Sequence, residues 1–534
     1  MSSENKSTQT GNFILVLVAM VMGVLIGLMF ATNSRSRSTT GALQGKMDEV
    51  LQLVEKEYVE SVDVDSVSER AVALLLSELD PHSTYLSYRE TEQADELMRG
   101  NFEGVGLVLH REGDTTYVGQ VMADGPSANV GIVPGDLIVT VDGDSVTGLP
   151  ADSVVAHLRG PRHTTVEIGV LRYDGGHGTP RPYSVTIRRG VVDQPSLPYS
   201  GMLDDTTGYI LLTTFTATSY DEFRAALRKL VAAGMRHLVF DLRGNGGGSL
   251  QSAVGIAGEL LPRGSLIVYT QGAHSRRRDV RSHGGGLFTT GRVTVMIDES
   301  SASASEVVAG ALQDNDRATV VGRRSFGKGL VQTDFTLSDG SSLLLTTARY
   351  YTPSGRCIQR SYDDGTEEYY RDYVQQLIDE AYADTAVASV KDSTPYYTVG
   401  GRTVYGGGGI IPDQLFTYRH DTTLVYYNQL SSNRLLSVVA FDYVRHHVGE
   451  LQQRYPDAES FYKGFRVDDA LVETVVRRGE AAGVARNVRS LRAQRQLITN
   501  SLAAYIGQAL YGDVMFYRIV LREDEDLKKL GIRN

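Results

Sequence analysis

The longest apolar run in the chain, Phe13 to Ala31, has no charged residue, and the uncharged stretch continues to Ser34. As a helix rising about 1.5 Å per residue, it is long enough to cross the hydrocarbon core of a bilayer. A cleaved signal peptide is the rival reading, but its apolar region is usually shorter, and Met29-Phe30-Ala31 is a poor small-x-small cleavage site. The expectation is an uncleaved anchor over 13–31, preceded by residues 1–12 in the cytoplasm. Gly23 and Gly27 form a Gly-x-x-x-Gly pair within it, read as two small residues of a membrane helix rather than a dimer seam. A Ser/Thr/Arg-rich tether is expected over 32–42. From Leu43 to Leu79 apolar residues recur at mostly helical spacing up to Asp80-Pro81, where a helix stops. Residues 43–100 therefore read as a helical N-terminal segment.

The texture then changes. Val105–His110, Thr116–Val121, Leu137–Val141, Val166–Leu171 and Tyr183–Ile187 are short β-branched runs separated by glycines, with one helical pattern at Ala151–Leu158. They predict a compact β-rich module over 101–190. From Gly208 strands and helices alternate: Tyr209–Phe215, helix Tyr220–Ala233, His237–Leu242, helix Ser249–Leu261, Leu266–Tyr269, Val293–Ile297, helix Ser305–Gln313, Thr319–Val321. That order predicts a layered α/β core over 191–361. Leu330–Leu337 and Ser341–Tyr350, joined at Asp339-Gly340, read as a hairpin. A Tyr/Gly-rich stretch over 362–420, with Gly406 to Gly409 ahead of Ile410-Ile411-Pro412-Asp413, is taken to complete the core. Residues 421–534 are largely helical.

Composition narrows the function classes. A chain of 534 residues with 41% apolar content has room for two to four domains. A formal charge of −11, with no dominant Lys/Arg block, argues against nucleic acid as a partner. The single cysteine, Cys357, allows no internal disulfide and so neither requires nor excludes an oxidising compartment. Arg35 and Arg37 follow the apolar span, whereas only Lys6, offset by Glu4, precedes it. The positive-inside rule alone would keep the body of the chain in the cytoplasm.

Two chemistries compete for Lys328. Gly322-x-x-x-x-Gly327-Lys328 spells most of a phosphate-binding loop, but Gly329 stands where Ser or Thr must ligate magnesium. The sequence after it alternates like a strand, so the anion-binding helix is missing too. The other chemistry begins at Ser300-Ser301-Ala302-Ser303-Ala304-Ser305-Glu306, a small-residue turn between a strand and a helix. A nucleophile there would be exposed at a helix N-terminus, which favours developing negative charge. Taken alone, Ser303-x-x-Glu306 is equally a capping box and needs no catalysis. Asp241-Leu242-Arg243-Gly244-Asn245-Gly246-Gly247-Gly248 also lies between a strand and a helix, and its flexible backbone offers N–H donors to an oxyanion.

Two resemblances join these pieces. Phe102-Glu103-Gly104-Val105-Gly106-Leu107, followed by Gly125-Pro126-Ser127-Ala128, Gly131-Ile132-Val133-Pro134-Gly135-Asp136 and Asp142-Gly143, resembles a PDZ domain with its carboxylate-binding loop. This implies that Glu103, Gly104, Val105, Gly106 and Leu107 receive a peptide's C-terminus while the peptide adds as a strand. The Asp241–Gly248 loop, the serine turn and Phe326-Gly327-Lys328-Gly329-x-Val331-Gln332 together resemble the C-terminal processing peptidases, or tail-specific proteases. Leu79-Asp80-Pro81-His82-Ser83, Tyr351-Thr352-Pro353-Ser354-Gly355 and Gly409-Ile410-Ile411-Pro412-Asp413 fit that family as well. The implied fold is a crotonase/ClpP-like α/β peptidase core carrying a PDZ module.

The resemblance implies Ser303 as nucleophile, Lys328 as general base, Gln332 as the residue orienting the lysine, and an oxyanion hole from the N–H groups of Ala304 and Gly247. No metal or cofactor is implied. A lysine acts as a base only when neutral, so burial must bring its pKa well below about 10. Phe326 and Leu330 offer such surroundings, and on a strand Lys328, Leu330 and Gln332 would share a face. His82, His110 and His237 then read as structural, and Arg276, Arg277, Arg278 and Arg281 as a solvated patch.

The whole is expected to be an endopeptidase on the bacterial inner membrane, its body in the periplasm, acting on protein C-terminal tails. The family-based location opposes the arginines after the span. The alternative is a PDZ scaffold that binds tails without cutting them. The helical C-terminal region could supply a homodimer interface.

Overall fold

The computed structural model describes residues 39–122, 124–172, 180–382, 394–417 and 421–532. The expected anchor, 13–31, and the segment before it lie outside the described residues. Among the described residues, no helix is long and apolar enough to cross a membrane.

The chain divides into two units, residues 1–78 and 79–534. The first contains helices Thr39–Glu57 and Val64–Ser77, the second capped by Asp63, which accepts the Ser66 N–H at 3.3 Å. Helix formation thus begins inside the expected tether. The expected helical segment 43–100 is also not one piece. Residues from Leu79 onward belong to the larger unit, where Thr84–Leu86 is an edge strand pairing with residues 342–344 and Tyr88–Arg99 is a helix closed by Gly100 at φ 75°.

The α/β core is built on a six-stranded sheet ordered Tyr199–Met202, Thr207–Leu211, His237–Asp241, Arg292–Ile297, Thr319–Gly322 and Gln414–Leu415. Its first pair is antiparallel and all later pairs are parallel. Such strands need cover on both faces. Helices Ser219–Ala232, Leu250–Leu260 and Ala304–Asp314 bury Phe223, Leu227, Ile256, Leu260, Val308 and Leu312 against one face. The other face, bearing Tyr209, Val239, Met296 and Val321, is covered by Leu521, Leu527 and Ile532 from the end of the chain.

A second sheet contains the hairpin Leu330–Thr336 and Ser342–Tyr351 with Thr84–Leu86, Leu266–Gln271 and Arg278–Arg281. Lys328 precedes the hairpin strand, which starts at Leu330, and the ladder slips by one residue between Val331 and Gln332. Strand alternation therefore does not place Lys328 relative to Gln332.

The β-rich module pairs its strands in the order Leu107–Glu112, Thr115–Val121, Leu137–Val141, Thr165–Arg172, Arg181–Arg188, so that Leu107–Glu112 is an edge. Helix Ala151–Leu158 closes its core of Val118, Ile138, Val154, Leu158, Ile168 and Ile187. Its outer face meets the C-terminal region, where Phe441 stacks on Tyr117 at 4.7 Å and lies 5.4 Å from His110. The C-terminal helices have their own core, including Leu436, Val444, Val475, Ile498 and Leu502.

Candidate active site

Parallel pairing of Arg292–Ile297 beside His237–Asp241, with Met296 opposite Asp241, sends both strands into loops at the same sheet end. Open parallel sheets carry their sites at such strand ends. The two loops are stitched together. Ala302 N–H donates to the Asn245 carbonyl at 3.0 Å, Ser305 Oγ to the same carbonyl at 2.8 Å, and Ser301 Oγ to Leu242 at 2.8 Å. Gly244 N–H donates to the Asp298 carboxylate at 2.9 Å.

These bonds hold Ser303 at φ 55°, ψ −110°, directly before helix Ala304–Asp314. A non-glycine residue there carries strain of about 1–3 kcal/mol, which the surrounding stitching must offset. Ser303 and Glu306 stand in the reciprocal arrangement of a capping box, but only the Glu306 half closes at hydrogen-bond distance, with Ser303 N–H 2.8 Å from Oε2. Gly247, at φ 102°, packs against the turn. A Cβ there would sit 2.7 Å from the Ala302 oxygen and 2.8 Å from Ser303 Cβ, so only glycine fits without displacing the serine. Its N–H donates to Asn245 Oδ1 at 2.9 Å, so this expected oxyanion donor is engaged inside its own loop. Among the described residues, nothing accepts the N–H of Ala304.

Glu306 does far more than cap. Its fully buried carboxylate accepts Ser303 N–H at 2.8 Å, Ser325 Oγ at 2.6 Å, Gly327 N–H at 2.7 Å and Lys328 N–H at 2.9 Å. Burial pushes its carboxyl up to about 7, against hydrogen bonds that favour the anion. The Tyr350 hydroxyl lies 2.6 Å from the Lys328 carbonyl and 3.1 Å from that of Ser303. Two side chains thus clamp the backbones of Ser303 and Lys328 to each other. The glycine motif after 405 supports the same loop, since Ile410 N–H donates to Ser325 Oγ at 2.6 Å.

Lys328 Nζ donates to Gln332 Oε1 at 2.7 Å, and the Gln332 amide in turn donates to the His82 carbonyl. That second bond fixes which end of the amide faces the lysine. No hydrogen bond joins Nζ to Ser303 Oγ, so the structure brings these residues together through their backbones and not yet through their reactive atoms. Burial holds the lysine below the usual ammonium range, while Asp80 and Glu306 pull it part of the way back. His82 is held down to about 4, first by burial and then by the Lys328 charge. Its turn is fixed by Asp80, which accepts His82 N–H and Ser83 N–H, each at 2.8 Å. The His82 ring stands edge-on to Tyr369 at 5.4 Å, and Phe326 packs on Tyr373 at 4.8 Å. Helix Thr366–Tyr382 thereby adds an aromatic wall beside the lysine loop.

In the expected carboxylate-binding segment, Glu103 and Gly104 belong to a strand paired with Gly190–Asp193, and Glu103 Oε2 accepts the Arg162 N–H at 2.7 Å. Val105 and Gly106 form the turn, with Gly106 at φ 75°, and Leu107 opens the edge strand. The N–H groups of Val105 and Gly106 donate to nothing among the described residues.

His237 bonds Thr294 Oγ1 at 2.9 Å, and His110 packs against Phe441. Arg277 lies 3.7 Å over the Tyr269 ring and pairs with Asp279, as Arg281 does. Among the described residues, no group of His, Cys, Asp or Glu is arranged to hold a metal ion. The sequence reading missed the clamp by Glu306 and Tyr350 and the support of Gln332 by His82. Glu306 had a signal, the capping box, which pointed to a different role. For Tyr350 only its place at the end of the expected hairpin strand Ser341–Tyr350 was visible.

Known proteins resemble the chain in three segments. Residues 206–368 match peptidase family S41, residues 96–171 a PDZ domain, and residues 426–512 a family of unknown function. The carboxy-terminal-processing protease of Bartonella bacilliformis is 32% identical over 342 residues, covering 63% of this chain and 77% of that protein. The carboxyl-terminal-processing protease of Synechocystis is 35% identical over 299 residues, covering 54% and 68%. Among solved structures, the photosystem II D1 C-terminal processing protease is 28% identical, covers 57% of this chain and 88% of its own, and superposes with a TM-score of 0.33.

Proposed function

The chain belongs to peptidase family S41, among the carboxy-terminal processing proteases, and from that premise we propose that it is a membrane-anchored serine endopeptidase using a Ser303–Lys328 dyad. The observation carrying this reading is the double clamp. Glu306 and Tyr350 each contact the backbones of both Ser303 and Lys328, while Gln332 takes the lysine amine.

In the reaction, neutral Lys328 Nζ accepts the Ser303 Oγ proton as that oxygen attacks the scissile carbonyl carbon. The carbonyl oxygen gains the negative charge and turns toward Ala304 N–H and an N–H of the Asn245–Gly248 loop. For Gly247 to serve, its bond to Asn245 Oδ1 must yield to the oxyanion. The protonated lysine returns its proton to the leaving amine, and water then hydrolyses the acyl ester by the same relay. Gln332, as a neutral acceptor, orients the amine without stabilising its charged form as a carboxylate would.

Substrate selection belongs to the PDZ module. A peptide carboxylate docks on the N–H groups of Val105, Gly106 and Leu107, and the tail adds as a strand along the edge Leu107–Glu112. Residues 13–31 anchor the chain in the inner membrane, with the body in the periplasm. Protease added to cells with a permeabilised outer membrane should digest the body, and protection until the inner membrane is opened would reverse this orientation.

The dyad is tested with purified protein and a peptide ending in a free apolar carboxyl terminus. Ser303→Ala and Lys328→Ala should each lower kcat by about a thousandfold or more, with peptide binding retained. Equal cleavage by variants and wild type would refute the dyad. Tight binding with no cleavage by the wild type would favour a PDZ scaffold.

A further inference from the structure

We propose that Asp526, assisted by Asp524, is a positioning residue for catalysis, clasping the loops of the oxyanion glycines and of the lysine onto one point of the C-terminal region. The inference rests on the reaction proposed above. Arg243 stands immediately before Gly244, and its guanidinium donates to Asp524 Oδ2 at 2.7 Å and to Asp526 Oδ2 at 3.2 Å. Arg323 stands two residues before Ser325, and it donates to the same Asp526 Oδ2 at 3.2 Å. One carboxylate oxygen thus bridges two arginines from two different catalytic loops.

Each arginine also grips its own side of the site. Arg243 Nη2 pairs with Asp241 at 2.6 Å, and Asp241 in turn accepts the Tyr209 hydroxyl at 2.6 Å. Arg323 pairs with Glu299 at 2.9 Å, at the start of the serine turn. Three loops, carrying Asn245–Gly248, Ser303 and Lys328, therefore share one ionic junction.

The junction is itself fixed in place. Asp524 Oδ1 caps the short helix Glu525–Lys529 by accepting the N–H groups of Asp526 and Leu527, each at 2.9 Å. Leu527 is 1% exposed in the cluster beneath the central sheet. An apolar anchor on one side and two guanidinium groups on the other leave Asp526 little freedom. Its side chain is 10% exposed and those of Arg243 and Arg323 are 18% and 17%, so water screens these charges far less than at a surface pair. Loss of the junction should loosen the glycine loop and the lysine loop relative to each other, and small misplacements of reacting groups lower turnover steeply.

The test uses the full chain, with acylation of Ser303 by a small fluorophosphonate probe that has no carboxyl tail for the PDZ module. Asp526→Asn keeps the shape and removes the charge. It should slow acylation by about tenfold to a hundredfold and lower kcat for a peptide equally, with KM unchanged. Lys528→Gln, which breaks an exposed pair with Glu523, should leave both rates at the wild-type value. Equal acylation rates for wild type and Asp526→Asn overturn the inference, as does a loss matching the fraction of unfolded protein. If Asp526→Asn does not fold, Asp524→Asn, which can keep the Oδ1 cap on the helix and removes the charge facing Arg243, is judged by the same rates. Labelling of Ser303→Ala at the wild-type rate would instead sink the catalytic reading beneath it.

Discussion

In the proposed dyad, Gln332 faces a lysine amine that must lose its charge to act as a base. Because burial lowers the Lys328 pKa from its ordinary 10.5, activity should rise with pH and level off below the usual lysine range. It falls again as pH drops through the lowered value, since only the neutral amine accepts the serine proton. Gln332→Glu places a carboxylate where Oε1 now stands 2.7 Å from Nζ and stabilises the ammonium form. The rising limb of kcat/KM against pH should move to higher pH, with activity near pH 7 reduced by up to about tenfold per unit of movement. An unmoved profile would remove Gln332 from contact with the working base. Motifs made Ser303, Lys328 and Gln332 candidates in the sequence, and the structure joins the last two at 2.7 Å. Glu306 was legible only as a cap, because its bonds to Ser325, Gly327 and Lys328 span sequence separations that no local pattern encodes.

At the scale of elements, two arrangements carry the site. The strand–turn–helix at Arg292–Asp314 holds Ser303 in a strained backbone, and the hairpin from Leu330 begins just after Lys328. The sequence places both elements within a few residues. Its period-2 reading of Lys328 and Gln332 does not hold, because the lysine lies before the strand and loop geometry makes the contact. The β-rich module shows a further coupling. Phe441 of helix Leu435–Arg454 stacks on Tyr117 from the strand next to the edge strand Leu107–Glu112. Since Phe441 is only 6% exposed, Phe441→Ala should weaken this contact by roughly 3 kcal/mol. Hydrogen exchange should accelerate across Leu107–Val121 while the strand His237–Asp241 keeps its protection. Unchanged exchange in the module would mean that the stack does not hold it.

For the molecule as a whole, residues 521–532 are packed into the α/β core. Leu521, Leu527 and Ile532 cover a sheet face together with Phe416 and Tyr517, and Asp526 joins two loops. Burial alone would raise the Asp526 carboxyl, but Arg243, Lys529 and Arg323 reverse this and bring it below 3.8. A depressed carboxylate pKa contributes stability that is fully present above 3.8 and is lost as pH falls through the lowered value. Thermal unfolding followed from neutral pH into that range should show a steeper loss for wild type than for Asp526→Asn. Parallel acid profiles would show that the junction contributes no pH-dependent stability.

Periodicity and composition determined the order of helices and strands, the β-rich module and the alternating core, and motifs marked the candidate site residues. These follow from local rules, since the alternation of apolar positions and the demands of turns act within a few residues. Tertiary structure alone decided that Glu306 and Tyr350 unite two loops, that His82 offers its carbonyl to Gln332, and that Gly247 turns its N–H to Asn245. It also decided that Leu521, Leu527 and Ile532 pack on one face of the six-stranded sheet. Each of these is a pairing of buried polar groups or apolar faces between segments distant in sequence. Such partners are selected by burial and hydrogen-bond satisfaction in the folded state, where an unpaired polar group is costly, and the linear pattern carries no record of that selection.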